Sequence, residues 1–61
     1  MQRFILTIEG PGLEDVSEVE LPHPPGEGEA IETRLGTCVI THVRETPAGS
    51  QYAGNILCRL P

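Results

Sequence analysis

Seven glycines and six prolines are placed so that one or the other interrupts nearly every twelve residues of this 61-residue chain. This punctuation decides the class of structure. Proline inside a helix removes a backbone donor and collides with the preceding turn, and glycine weakens a helix interior. No window between the breaks holds apolar residues at i, i+3, i+4 and i+7. The segments alternate with period two instead, as half-buried strands do.

Five strands are expected. The first runs from about Gln2 to Glu9, with Phe4, Leu6 and Ile8 on one face. "GPG" at Gly10–Gly12 ends it, and Asp15 to Leu21 can return as a hairpin partner with Ser17, Val19 and Leu21 inward. Glu14, Val16, Glu18 and Glu20 then point the other way. "PHPPGEGE" stops pairing and reads as an exposed loop with extended proline geometry. The third strand spans about Ala30 to Leu35, with Ile31, Thr33 and Leu35 inward. The fourth spans about Thr37 to Thr46 and carries apolar residues on both faces, Cys38 and Ile40 against Val39 and Val43, which reads as a central, curved strand. "TPAGS" turns the chain into a fifth strand from about Gln51 to Leu60, with Tyr52, Ile56, Cys58 and Leu60 on one face. The fold class that follows is all-β: one domain holding a small curled antiparallel sheet or barrel of about five strands.

A domain of this size buries only about 60% of the surface its unfolded chain exposes, which leaves little room for a deep catalytic pocket. Charge is more informative. Through Glu32 the chain carries eight carboxylates and one cation, Arg3; from Thr33 onward it carries Arg34, Arg44 and Arg59 against Glu45, and lysine is absent. Direct nucleic-acid binding needs cations to displace phosphate counterions, so it is disfavoured. Six glutamates, Glu14, Glu18, Glu20, Glu27, Glu29 and Glu32, form the candidate partner-binding set, suited to a basic protein surface. The ordinary alternative is that they serve solubility. Arg34, Arg44 and Arg59, with Tyr52 or His42, form a candidate anion-binding patch, with Arg34 and Arg44 read as facing away from the stronger apolar stripes. Cross-strand pairing with Glu32 and Glu45 is the competing reading of the arginines.

Other chemistry is poorly supported. Cys38 and His42 lie four apart in one strand, roughly 13 Å along it, too far to share a metal. No metal, cofactor or catalytic residue is expected. Cys58 has no neighbour on its own face to activate a thiolate. Glu18 and Glu20 stand about 6.5–7 Å apart, but no pocket raises either pKa. The Pro22–Pro25 P-x-x-P lacks a flanking cation, and the glycines open no helix for phosphate. Both cysteines sit in apolar runs and read as small buried hydrophobes, with a Cys38–Cys58 bridge as the alternative if their strands pair. The N-terminus has no signal-like cleavage site and no run approaches membrane-spanning length; it reads as a folded cytosolic start, which favours free thiols.

The succession "PPGEGEAIE", "LGTCVITHV" and "GNILCRL" resembles a small SH3-like barrel over Pro25 to Leu60, at the level of fold. Only Phe4 and Tyr52 are aromatic, so the cluster that lines the peptide groove of true SH3 domains is missing. In size, acidity and lack of motif the chain resembles small accessory proteins of bacteriophages and mobile elements, including anti-CRISPR inhibitors. That resemblance implies an inhibitor that engages the nucleic-acid-binding surface of a host complex such as a CRISPR effector. The alternatives are an oligomeric protein that sequesters a small anionic or nucleotide ligand, or a structural accessory module.

Overall fold

A computed structural model describes residues 1–61. Five strands form a single sheet: β1 (Gln2–Gly10), β2 (Leu13–Leu21), β3 (Ala30–Thr33), β4 (Gly36–Glu45) and β5 (Gly54–Arg59), in the spatial order β2-β1-β5-β4-β3. The sheet is all-β and curls into a half-barrel. No helix is long and apolar enough to cross a membrane.

Three strand pairings are antiparallel, but β1 and β5 run parallel, with Phe4 opposite Gly54 and Ile8 opposite Cys58. The sheet is therefore mixed rather than wholly antiparallel. Two local units meet at that parallel seam: the β1–β2 hairpin and the β3–β4–β5 meander. The hairpin turn has proline at its second position and Gly12 at its third with φ 73°, the type II pattern.

The concave face carries the core: Phe4, Leu6, Ile8, Cys38, Ile40, Ile56 and Cys58, with Val19, Leu21, Ile31, Val43 and Leu60 packed against it. β4 reaches this arrangement through an irregularity. Ile40 is opposite Cys58 while His42 is opposite Leu57, so Thr41 is an extra residue. The bulge reverses the alternation. Val43 rejoins the core side, and His42 and Arg44 turn outward, whereas strict alternation would have put Arg44 beside Cys38 and Ile40. The apolar residues on both parities of β4 thus mark a bulge as well as an interior position.

Three strand expectations change. β3 ends at Thr33, and the Arg34–Leu35 turn leaves Leu35 exposed rather than inward. The Thr33 hydroxyl donates to the Gly36 carbonyl (2.7 Å) and accepts from the Leu35 amide (3.1 Å), fixing that turn. β5 begins at Gly54, so Tyr52 lies outside the strand and off its core face. The cysteines are not free: Cys38 and Cys58 form a disulfide, with Cα atoms 5.7 Å apart and both residues fully buried. The register of β4 against β5 brings them together, which neither strand shows alone.

β2 and β3 are opposite edges of the sheet, so the chain between them must cross the open side of the half-barrel. Pro25 is buried there. The far end of the crossing is fixed by two backbone bonds to β4, Gly28 N–H to Ile40 O and Ile40 N–H to Glu29 O, both 2.8 Å. The Arg34 guanidinium in the β3–β4 turn also ion-pairs with Asp15 on β2, linking the two edges directly. The proline segment is thus a cover for the core as well as a break between strands. Pro25→Ser is expected to lower unfolding free energy by about 2 kcal/mol, from lost apolar burial and a freer unfolded chain. Exposed Pro24→Ser should cost about 0.5 kcal/mol. Urea denaturation of the two variants checks the difference.

Candidate interaction surface

The outward-facing residues fall into rows set by register. One row runs Glu18–Ile5–Asn55–Arg44 across β2, β1, β5 and β4; the next runs Val16–Thr7–Leu57–His42; a third runs Glu14–Glu9–Arg59–Val39. Tyr52 reaches Glu18 at one end of this face, and much of the rest is open to solvent. Val16 is 61% exposed and Val39 40%.

The six candidate glutamates lie on three segments of the chain. Glu14, Glu18 and Glu20 stand on the exposed side of β2. Glu27 and Glu29 lie in the crossing segment and Glu32 on β3, at the opposite edge of the sheet order. The crossing segment binds β4 rather than returning beside β2. Glu32 accepts a hydrogen bond from the Thr37 hydroxyl at 2.6 Å, so it does not pair with an arginine. Glu20 lies 3.9 Å from Arg3, with both side chains about half exposed, and such a contact adds little stability. Glu14, Glu27 and Glu29 have no ion pair.

Glu18 is the one glutamate of the set held by a side chain from outside the strand pair. The Tyr52 hydroxyl, on the β4–β5 connection, donates to its carboxylate. The Thr46 hydroxyl holds the connection by donating to the Tyr52 carbonyl, and the Ala53 amide donates to Arg3 O at 2.7 Å. The hydrogen bond to Glu18 raises the Tyr52 pKa above the usual phenol value of 10.0; desolvation and the Glu18 charge add to the shift, while Gln51 and Arg3 oppose it. A raised folded-state pKa means that this contribution is present at neutral pH and is lost only as pH rises through that value. Tyr52, Arg3, Glu20 and Gln51 border an open groove of about 490 Å³ at this end of the sheet.

The arginines do not gather. Arg34 is committed to Asp15. Arg59 lies 3.7 Å from Glu9 on the neighbouring strand. Arg44 has no carboxylate within 4.0 Å, so the anticipated pairing with Glu45 is not made. Arg44 opposes Asn55, four residues before Arg59, which separates the two arginines by roughly 13 Å along the strands. Tyr52 is turned towards Glu18, away from any arginine cluster. Arg44 meets His42, Asn55 and Thr7 around a shallow depression of about 270 Å³ that Leu57 also lines.

Sequence reasoning missed Asp15, whose carboxylate faces the open side of the half-barrel and ties the edges. It also missed Thr7, Asn55 and Leu57 as neighbours of Arg44. Parity places each on the outward face of its own strand, but the β4–β5 register brings Asn55 and Leu57 beside Arg44 and the parallel β1–β5 pairing adds Thr7. No group of three or more His, Cys, Asp or Glu side chains is close enough to hold a metal ion. Comparison with protein-family models, curated proteins and solved structures finds no match to this chain.

Proposed function

We propose that this chain is a non-enzymatic binding module that engages a basic protein surface through β2. One observation carries the reading: β2 is an edge strand of nine residues with Glu14, Glu18 and Glu20 all exposed on its outward side. An edge strand also offers unpaired backbone groups to a partner. The carboxylates supply charge complementarity and the strand supplies a rigid spacing, so little side-chain order is lost on docking. The specific form of the proposal is a phage-type inhibitor, built on an SH3-like curled sheet. Its acidic row would occupy positions on a nucleic-acid-binding complex, such as a CRISPR effector, that phosphates would otherwise fill.

The double variant Glu18→Lys/Glu20→Lys is expected to weaken binding to a basic partner recovered from host lysate by about 100-fold or more, since like charges then face each other. Wild-type affinity should fall as salt rises, because the contact is exposed and screened. Titration calorimetry at two ionic strengths measures both effects, and an affinity indifferent to salt would remove the electrostatic basis. The second reading, sequestration of a small anion, rests on Arg44 having no carboxylate partner and sitting with His42, Asn55 and Thr7. In that case Arg44→Ala abolishes binding and Glu18→Lys leaves it intact.

A further inference from the structure

The outward face pairs with itself. In the first row Glu18 on β2 and Arg44 on β4 lie at equal distances from the seam between β1 and β5. In the third row Glu9 and Arg59 flank the same seam. In the row between, Val16 and His42 are the outer members and Thr7 and Leu57 the inner ones. A two-fold axis along that seam, bringing two copies face to face, carries each row onto itself with its ends exchanged. Glu18 of one copy then opposes Arg44 of the other, Glu9 opposes Arg59, and Thr7 opposes Leu57. A two-fold axis across the strands instead sets β2 over β2 and opposes glutamate to glutamate. The acidic β2 and the basic β4 therefore select one arrangement.

We propose that this face is the interface of a symmetric dimer, with Glu18 of each copy held by Arg44 of the other. The occupant is a second copy because the charge pattern is self-complementary about a single axis, as an isologous contact requires. Arg44, unpaired within its own chain, gains its carboxylate this way, and Glu18 retains acceptor capacity beyond its bond to Tyr52. Ile5, Val16, Leu57 and Val39 lose solvent in the contact. Two sheets that pack face to face cross at about 30°, so the axis bisects the two strand directions and the central rows stay opposed. The curl brings the two copies closest at the β1–β5 seam and leaves the long Glu18 and Arg44 side chains to span the wider gap at β2 and β4; a total buried area below about 1,200 Å² makes this a weak, reversible dimer. Dimerisation covers Glu18, so a second copy and a basic partner compete for the same carboxylate.

Sedimentation equilibrium of the wild-type chain at low salt, up to submillimolar concentration, should show a monomer–dimer equilibrium. Glu18→Arg and Arg44→Glu should each weaken association at least tenfold, because each opposes like charges twice. An equimolar mixture of the two variants should recover wild-type association as a heterodimer. In it, the native glutamate meets the native arginine and the introduced residues meet each other. Both positions are exposed, and unchanged far-ultraviolet circular dichroism confirms folding. Glu20→Lys lies outside the three rows and should leave the dimer intact. A wild-type monomer throughout the range, a single variant that associates as wild type, or a mixture that fails to recover would each overturn the proposal. Partner capture through β2 is separable, since Arg44→Glu weakens the dimer and spares that binding, whereas Glu18→Arg weakens both.

Discussion

Reducing the Cys38–Cys58 disulfide is expected to remove about 3 kcal/mol of stability, most of what a 61-residue domain has. The bridge closes a sequence separation of 20 residues, and chain-entropy estimates for a loop of that size give this magnitude. The consequence is large because the core is small. Seven buried apolar residues form it, and two of them are the bridged cysteines. Both sulfurs are buried, so a reductant acts mainly on the opened state, and reduction should couple to unfolding. Thermal denaturation with and without a phosphine reductant should show a midpoint shift of about 12–24 °C. Cys38→Ala/Cys58→Ala should behave like the reduced protein, with a further small loss from the missing sulfurs. Equal midpoints in oxidised and reduced samples would show that strand packing alone holds β4 to β5. The expectation of a cytosolic location and the presence of the bridge pull in opposite directions, because cytosolic thiols are kept reduced. A reducing compartment would hold this chain near its unfolding threshold. Alkylation of the freshly isolated protein followed by mass measurement reads which state it occupies.

The local part of this fold was legible in the residues. Phe4, Leu6 and Ile8 announce a strand with one apolar face, and Pro11–Gly12 announces the turn that follows. The alternation in Asp15–Leu21 correctly sends Glu18 and Glu20 to solvent. What the chain does not declare is which strands become neighbours. The parallel seam between β1 and β5 joins residues about fifty positions apart, and no residue in either strand encodes the other's direction. The bulge at Thr41 is silent for a related reason: threonine suits a bulge and a regular strand equally, and only pairing with Leu57 shows one residue too many. The reading of Arg44 as facing away from the apolar stripe holds, but it is the bulge, not regular alternation, that places it there; without the seam, Thr7 and Asn55 are unrelated. The acidic set was legible as composition, but its distribution over β2, the crossing and β3 depends on the crossing bonding to β4. Its prolines looked like punctuation because burial of Pro25 depends on the crossing having a core to cover.

Gly54→Ala should destabilise the protein by about 3 kcal/mol, although alanine is a small and otherwise strand-tolerant residue. Gly54 opens β5 at the point where three strands converge, opposite Phe4 on β1 and Glu45 on β4. A Cβ there would sit 2.7 Å from the Arg44 carbonyl oxygen and 3.4 Å from the Phe4 ring. The ring can shift by a few tenths of an ångström. The carbonyl belongs to the β4 backbone, so relief requires moving β4 away from β5. That movement opens the ladder above the disulfide and displaces Arg44 from Asn55, which changes the outward row as well as the core. Gly49→Ala provides the contrast. Gly49 has φ 90° and open space around its Cβ position, so alanine meets only the backbone penalty of about 1 kcal/mol. Phe4→Leu added to Gly54→Ala should recover nothing, because the tighter contact is with backbone. Urea midpoints for the three variants separate these effects. If Gly54→Ala loses no more than Gly49→Ala, β4 and β5 do not approach closely at this residue, and the register that turns Arg44 outward fails with it.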